Sequence, residues 1–314
     1  MPDPVRPPPH RPGRRAVLAG LAGAAAASLL PGAPGAAPGP RLVKPIPSTG
    51  ERLPAIGMGT WLTFDVGDVA HLRRRRAEVL RAFFAAGGGV VDSSPMYGSA
   101  EAVVGDCLAR LPEPRRLFAA TKVWTPLGAM GPGQMDSSRR LWGVPRFDLM
   151  QVHNLLAWES HLATLRARKA AGDYRYIGVT TSHGRRHGTL ARIMEREPLD
   201  FVQLTYNILD RDAEARLLPL AAERGLAVIA NRPFRTGALF DHVGRAPLPG
   251  WAAEIGAATW AQVFLKWIVA HPALTCAIPA TTRVDHMEQN MAAALGPLPD
   301  TALRARMARE VADL

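Results

Sequence analysis

The sequence predicts an α/β fold: a closed (β/α)8 TIM barrel with an N-terminal β-hairpin and an extra C-terminal helix. Eight short apolar runs recur between residues 56 and 278, and helical patterns separate them. The runs are almost continuously apolar, as expected of parallel strands that helices cover. An open doubly wound sheet is the alternative. It is disfavoured because no Gly-x-Gly-x-x-Gly motif follows any run, and because eight strand–helix units in about 250 residues are typical of a barrel.

Each predicted element follows from its local pattern. The segment RLVKPIPSTGERLPA predicts a hairpin that turns at Ser48–Gly50, and the tail PDTALRARMAREVADL predicts the final helix. Between these, RRAEVLRAFFAAG keeps apolar residues on one helical face and stops at glycine, and the run Arg73–Arg76 is expected on the solvated face. The eight predicted strands are Ile56–Gly59, Val90–Val91, Leu117–Thr121, Phe147–Val152, Tyr176–Val179, Phe201–Leu204, Ala227–Ala230 and Thr275–Ile278.

Composition and charge exclude several classes of protein. Apolar residues make up 47% of the 314-residue chain, so a large core is possible, and no internal linker divides residues 41–314, which we expect to form a single domain. The formal charge of +11 suits phosphorylated small molecules, whereas no nucleic-acid motif is present and no nucleic-acid partner is expected. The two cysteines, Cys107 and Cys276, match no metal or disulfide pattern, so no metal site is expected.

Residues 1–40 have the order of an export signal. The pair Arg14-Arg15 precedes a weakly apolar stretch, Ala16–Leu30, and a region of small residues ends near Pro40. This order resembles a twin-arginine signal, although Val17 stands where that pattern often has Phe. The stretch is too short and too weakly apolar for a stable membrane span. We expect the export machinery to recognise it and the protein to be exported, periplasmic or extracytoplasmic. The alternative is a disordered N-terminus on a cytoplasmic protein.

Polar residues follow three neighbouring predicted strands. Asp92, Lys122 and His153 follow the second, third and fourth strands, and Tyr97 lies on the loop after the second. Each has a simple structural explanation: a capped turn, a solvated lysine, a structural histidine and a packed loop tyrosine. In a barrel, however, the strand ends meet at one rim, where catalytic residues lie. A lysine ammonium beside a phenol would lower the phenol pKa, and a neighbouring carboxylate would hold the lysine in place. Together they predict general acid catalysis by Tyr97, with His153 orienting a carbonyl.

The segments AIGMGTW, VVDSSPMYGSAE, AATKVW and MQVHN resemble, in order and spacing, segments of the aldo/keto reductase family. The resemblance covers roughly residues 42 to 294. It implies that Asp92, Tyr97, Lys122 and His153 are catalytic, and that NADPH, with NADH as the alternative, supplies hydride to a small-molecule carbonyl substrate. At AVIANRPF the family usually has a tyrosine that stacks on the nicotinamide, whereas this chain has Asn231.

The resemblance also implies a set of cofactor and substrate residues. Helix starts that carry hydroxyl groups and an arginine bind phosphate well, which supports the segment AIPATTRVDHMEQN as the adenosine-phosphate region. The implied cofactor residues are Ser182, His183, Gln203, Asn231, Ala280, Thr281, Thr282, Arg283, Gln289 and Asn290. The tryptophans after the first and third strands, Trp61 and Trp124, are expected either to line an apolar substrate pocket or simply to pack in their loops.

Three functions are compatible with these patterns. The first is an exported NADPH-dependent carbonyl reductase. The second is an exported redox sensor or accessory binding protein that retains its nucleotide with little turnover, since free NADPH is scarce outside the cytoplasm. The third is a non-redox lyase or hydrolase on a barrel, which would explain Lys122 but not the other three residues. We favour the reductase.

Overall fold

Eight parallel strands form a barrel, which confirms the predicted fold class. The structure is a computed structural model that describes residues 40–112 and 116–314. The strands are β1 (Val43–Pro45) and β2 (Arg52–Pro54) of the hairpin, and β3 (Met58–Gly59), β4 (Val90–Asp92), β5 (Phe118–Val123), β6 (Phe147–Val152), β7 (Tyr174–Thr180), β8 (Phe201–Thr205), β9 (Ala227–Asn231) and β10 (Cys276–Ala277) of the barrel. Neighbours in sequence are neighbours in the sheet.

At least one helix follows every barrel strand. The helices are α1 (Ala70–Ala85), α2 (Ala100–Ala109), α3 (Gly131–Trp142), α4 (Trp158–Ala170), α5 (His187–Arg196), α6 (Leu217–Glu223), α7 (Ala238–Val243), α8 (Trp251–Glu254), α9 (Trp260–Val269), α10 (Val284–Ala292) and α11 (Thr301–Ala312). The predicted extra C-terminal helix is α11, and the Asp300 side chain caps it by accepting a hydrogen bond from the Leu303 N–H at 2.7 Å.

Backbone hydrogen bonds between β10 and the residues just before β3 close the barrel. The Gly57 N–H donates to the Ala277 carbonyl at 2.8 Å, and the Ala277 N–H donates to the Ala55 carbonyl at 2.9 Å. A β-carbon at Gly57 would lie only 2.9 Å from the Val90 carbonyl oxygen, so glycine is needed where the strands approach. Strands β3 and β10 are both shorter than the sequence predicted, because part of the pairing between these segments is an isolated bridge, Ile56 with Ala277, outside the regular strands.

Two groups of apolar residues make up the core. The larger one fills the space between the strands and the helices. The smaller one lies inside the barrel, where Phe118, Tyr176 and Phe201 pack with ring centres 5.4 to 6.0 Å apart. Ile46 and Leu53 of the hairpin join this interior group, so the hairpin closes the N-terminal end of the barrel. The predicted hairpin is therefore confirmed, and its closed end leaves the opposite end for the site.

One arginine of the Arg73–Arg76 run does not lie on the solvated face. Arg76 is buried, and its guanidinium donates to the backbone carbonyls of Thr63 and Thr282. It thereby ties the loop after β3 to the segment after β10. The expectation of a fully solvated run was wrong at this position, because composition alone does not reveal carbonyl acceptors that come from distant loops.

The predicted export signal, residues 1–40, lies outside the described residues except for Pro40. The domain boundary at residue 41 therefore stays a prediction. Among the helices of residues 40–112 and 116–314, none combines the length and the apolar character that crossing a membrane would need.

Candidate active site

The polar side chains at the open end of the barrel continue the inward-facing rows of the strands. Side chains alternate between the two faces of a strand, so every second residue faces the barrel axis. Val90 packs in the interior, and Asp92 follows it by two residues. In the same way Lys122 follows Ala120, Gln151 follows Leu149, and Gln203 follows Phe201. Strand alternation thus places apolar side chains in the lower barrel and polar ones above them.

An ion pair between Lys122 and Asp92 forms the centre of the site, and both side chains are buried. Lys122 Nζ donates to Asp92 Oδ2 at 2.5 Å and to the Ser93 carbonyl oxygen at 2.7 Å. The second carboxylate oxygen, Oδ1, accepts hydrogen bonds from the side-chain amides of Gln203 at 2.9 Å and Gln151 at 3.3 Å. Both oxygens of the Asp92 carboxylate thus have hydrogen-bond donors within the barrel.

Tyr97 lies on the loop after β4, with its ring centre 5.0 Å from Lys122 Nζ. Burial lowers the pKa of Lys122, but Asp92 and Tyr97 outweigh burial, and this pKa is raised above its ordinary value. Burial raises the pKa of Tyr97, Lys122 lowers it and Asp92 raises it, with a net rise. The sequence led us to expect a lowered tyrosine pKa. That expectation was wrong because burial outweighs the ammonium, so the phenol keeps its proton at neutral pH.

His153 comes directly after β6, and its ring lies edge-on to Tyr97, with ring centres 5.5 Å apart and planes at 86°. Its Nδ1 atom is 2.8 Å from the Ser94 hydroxyl oxygen. Burial, together with the nearby Lys122 ammonium, lowers the pKa of His153 to about 2. The imidazole is therefore neutral at physiological pH, which suits a hydrogen-bond donor to a carbonyl better than an acid.

Two cavities that share walls lie at this end of the barrel. The first, of about 410 Å³, is lined by Asp92, Tyr97 and His153. The second, of about 300 Å³, lies beside α10. The residues that line both are Phe234, Phe240 and Ala280. The shared walls make one groove that runs from Asp92, Tyr97 and His153 to the predicted adenosine region.

Two of the predicted cofactor residues are bonded within the barrel. Asn231 Nδ2 donates to the Thr181 carbonyl oxygen at 2.8 Å, and its Oδ1 accepts from the Thr205 hydroxyl at 2.9 Å. Gln203, whose amide donates to Asp92, lines the first cavity beside Asn231. The side chain that stands at the usual tyrosine position is thus held by β7 and β8, and it supplies no aromatic surface to the groove.

The other predicted site residues divide between the groove and its surroundings. Those that line the first cavity are Trp61, Ser182 and Ala280, and those that line the second are Ala280, Thr281, Gln289 and Asn290. His183 lines a separate polar cavity, and Trp124 does not line the first cavity. Thr282 accepts a hydrogen bond from Arg76 through its carbonyl, and Arg283 is exposed and paired with Asp285.

Sequence reasoning did not single out three residues that bear on the site. Gln151 could have been found, because it follows the inward-facing Leu149 by two residues. Ser94 and Asp285 gave no comparable signal, since each lies outside the strands and acquires its partner only in the folded chain. In the part of the chain that the structure describes, no group of three or more His, Cys, Asp or Glu side chains is arranged to hold a metal ion.

The model of the Aldo/keto reductase family matches residues 55–305 of the chain, which is most of its length. The chain belongs to the aldo/keto reductase family. As a member, it is an NAD(P)H-dependent oxidoreductase.

Named relatives agree with this assignment. The chain is 28% identical over 258 residues to an aldo-keto reductase of Strobilurus tenacellus, covering 70% of this chain and 76% of that protein. It is 27% identical over 247 residues to the NADH-specific methylglyoxal reductase of Escherichia coli, covering 66% and 72% respectively.

Solved structures show the same fold. An aldo/keto reductase from Klebsiella pneumoniae in complex with NADP and acetate is 25% identical, with a TM-score of 0.69, covering 83% of this chain and 93% of that one. A thermostable aldo-keto reductase in complex with the inhibitor epalrestat is also 25% identical, with a TM-score of 0.71, covering 86% and 99% respectively.

The groove has the chemistry that a dinucleotide needs. Phe234, Phe240 and Trp260 provide flat apolar walls, and the amide group of Asn290 at the far end makes no hydrogen bond to any of the described residues although the residue is 2% exposed. A β-carbon at Gly59, which lines the first cavity, would lie 2.9 Å from the Ile278 carbonyl oxygen, so glycine is needed for the close approach of these two backbones. An unpaired amide facing a cavity is suited to binding a polar ring such as adenine.

Proposed function

We propose that this aldo/keto reductase reduces the carbonyl group of a small molecule to an alcohol, with NADPH as the preferred hydride donor and Tyr97 as the proton donor. The observation that carries the proposal is the cluster at the open end of the barrel. A protonated phenol, a carboxylate and a neutral imidazole border the same cavity, and the buried Lys122 ammonium bonds to Asp92 and lies 5.0 Å from the Tyr97 ring centre. This is the set of groups that protonation of an oxygen anion requires.

Each residue has a separate task in this proposal. Tyr97 holds its proton at neutral pH and gives it to the substrate oxygen as negative charge develops there. Lys122 then stabilises the phenolate that remains, because its ammonium lies near the ring and is itself held by Asp92. His153, which stays neutral, orients the carbonyl oxygen beside the phenol. Trp61 and Leu62 border the same cavity and give it apolar walls.

The cofactor, when bound, supplies the hydride, and the groove is its proposed binding site. Ser182, Gln203 and Asn231 would lie at the nicotinamide end, although the amides of the last two are already bonded within the barrel. Gln289 and Asn290 would lie at the adenine end. The Klebsiella structure contains NADP and the Escherichia coli relative is NADH-specific, so both nucleotides are represented among similar proteins.

We also propose that residues 1–40 are a twin-arginine export signal and that the protein works outside the cytoplasm. A folded-export route would allow a barrel to carry its nucleotide across the membrane. The second hypothesis, a nucleotide-retaining sensor or accessory protein, predicts bound nucleotide without turnover. Assays of the purified protein with NADPH and a panel of aldehydes, ketones and quinones separate the two, since only the reductase consumes the cofactor.

Replacing Tyr97 with Phe removes the proton donor while keeping the ring. We expect Tyr97→Phe to lower kcat for carbonyl reduction by about 100-fold or more, the usual contribution of a general acid. The Kd for NADPH, measured by protein fluorescence, should change little. Tyr176→Phe is the matched control because it removes a phenol near the hairpin, where Tyr176 bonds to Glu51 at 2.6 Å. Equal kcat in Tyr97→Phe and the unmodified protein would contradict the proposal.

The reduction rate should not depend on the ionisation of Tyr97 across neutral pH. The active form is the phenol, and a pKa raised above the ordinary value of about 10 keeps that form populated across neutral pH. His153, with a pKa of about 2, adds no ionisation in this range. Single-turnover hydride transfer, followed by nicotinamide absorbance, should therefore be flat from roughly pH 6 to 9. The rate of alcohol oxidation should rise with pH, because that reaction needs the phenolate. The assignment would be contradicted if the reduction rate fell with rising pH below pH 9 and this fall were absent in Tyr97→Phe.

Asp285 is expected to weaken NADPH binding selectively. Its carboxylate accepts both hydrogen bonds of Arg283, at 2.9 Å and 2.5 Å, and the family resemblance implies a role for Arg283 in binding the 2′-phosphate. Asp285→Asn should lower the Kd for NADPH about twofold to fivefold, the range of an exposed ion pair, and leave that for NADH unchanged. Fluorescence titration measures both constants. Glu288→Gln makes the same charge change on α10 and is the control; equal effects on both nucleotides would overturn the placement of Arg283.

The export proposal has its own test. Changing Arg14→Lys and Arg15→Lys together keeps the charge of the N-terminal segment but removes the arginine pair. We expect the full chain to accumulate in the cytoplasm of a bacterium that has the twin-arginine pathway, as judged by cell fractionation. Arg6→Lys with Arg11→Lys is the control and should be exported normally. Normal export of the Arg14/Arg15 variant would refute the signal.

A further inference from the structure

Ser94 is the partner of the His153 ring in the part of the chain that the structure describes. Its hydroxyl oxygen lies 2.8 Å from His153 Nδ1. The other ring nitrogen, Nε2, bonds to none of the residues in 40–112 and 116–314, and His153 borders the cavity of about 410 Å³. A neutral imidazole has one N–H and one bare nitrogen, and the partner of one nitrogen decides which of them carries the proton.

The hydrogen bonds of Ser94 determine the direction of this contact. The side chain is fully buried, at 0% exposure. Its oxygen already accepts a hydrogen bond from the Met96 N–H at 3.1 Å, so its own proton needs an acceptor. Among the described residues, His153 Nδ1 is the acceptor within hydrogen-bond distance. Buried hydroxyl protons are nearly always donated, because an unpaired buried donor is costly.

The opposite arrangement leaves an unsatisfied group. If Nδ1 carried the proton and donated to Ser94, the oxygen would accept two hydrogen bonds and its own proton would have no acceptor. A doubly protonated ring is disfavoured as well, because the ring is buried and lies near the Lys122 ammonium. The remaining arrangement has the Ser94 hydroxyl donating to Nδ1 and the ring proton on Nε2, which faces the cavity.

We propose that Ser94 is a positioning residue that fixes the proton of His153 on Nε2 and so makes the ring a hydrogen-bond donor to the carbonyl oxygen of the substrate. The inference rests on the proposed reduction, in which His153 orients that oxygen. A donor facing the cavity is attracted more strongly as negative charge grows on the oxygen, whereas a bare Nε2 would repel it. The contacts from the Met96 N–H through Ser94 to His153 polarise one another in the same direction.

The tautomer can be read directly in the full chain by ¹⁵N NMR of the histidine rings, because protonated and bare ring nitrogens have separate shifts. The His153 signals are assigned by their absence from His153→Gln. We expect Nε2 to carry the proton and Nδ1 to be bare near neutral pH, with NADP⁺ bound and without it. A proton on Nδ1 would overturn the proposal. Since this measurement needs no turnover, it is independent of the proposed reductase activity.

Substitution of Ser94 tests the consequence for catalysis. Ser94→Ala should lower kcat/KM for the carbonyl about fivefold, the factor expected for one lost hydrogen bond, and leave the Kd for NADPH unchanged. His153 should also take up a proton at a higher pH than in the unmodified protein, because Nδ1 no longer receives the serine hydrogen bond. Ser94→Thr, which keeps the hydroxyl, should restore both properties.

The control is Thr275→Val, which removes a buried hydroxyl near the closed end of the barrel, where Thr275 accepts from the Val228 N–H at 3.2 Å. It should leave kcat/KM and the His153 titration unchanged. A Ser94→Ala protein with the unmodified rate and the unmodified His153 titration would refute the role of Ser94. If Nε2 carries the proton but no carbonyl is reduced by any variant, the reductase proposal fails while the tautomer assignment stands.

Discussion

The ion pair between Lys122 and Asp92 is the interaction on which the site depends. Two charges removed from water are stable only if the remaining hydrogen-bonding positions are filled. Here the ammonium also bonds to the Ser93 carbonyl, and the carboxylate accepts from Gln203 and Gln151. These partners come from β6, β8 and the end of β4, so the pair is stable only when neighbouring strands are in the correct register. Barrel formation and assembly of the charged centre are thus one event.

Burial of the site also determines the protonation states of its side chains. A phenol beside an ammonium in water would tend to lose its proton, but the low dielectric of the barrel mouth opposes the charged form. The outcome is a tyrosine that remains an acid because burial outweighs the nearby ammonium, and a lysine that remains a cation because Asp92 and Tyr97 outweigh its burial. Burial and the Lys122 ammonium together hold His153 neutral. The two neighbours of the charge pair, Tyr97 and His153, thus keep the protonation states that the proposed reaction needs.

The sequence predicted the fold and the position of the four candidate catalytic residues because both follow from periodicity. Side chains two residues apart face the same side of a strand, so Asp92 faces the barrel axis as Val90 does, and Lys122 as Ala120 does. The parallel barrel then brings these strand ends together. The sign of the Tyr97 pKa shift could not be predicted, since it depends on how deeply several loops bury the ring. The buried position of Arg76 was missed for a related reason: its acceptors, Thr63 and Thr282, come from loops at opposite ends of the sequence.

The apolar residues that fill the lower barrel also determine from which end ligands can reach the site. Ile46 and Leu53 of the hairpin, with Phe118, Tyr176 and Phe201, fill the interior below the ion pair in the part of the chain that the structure describes. Nucleotide and substrate therefore approach the ion pair from the same open end of the barrel. In the proposed reduction, the alcohol would have to leave through the opening by which the carbonyl compound entered.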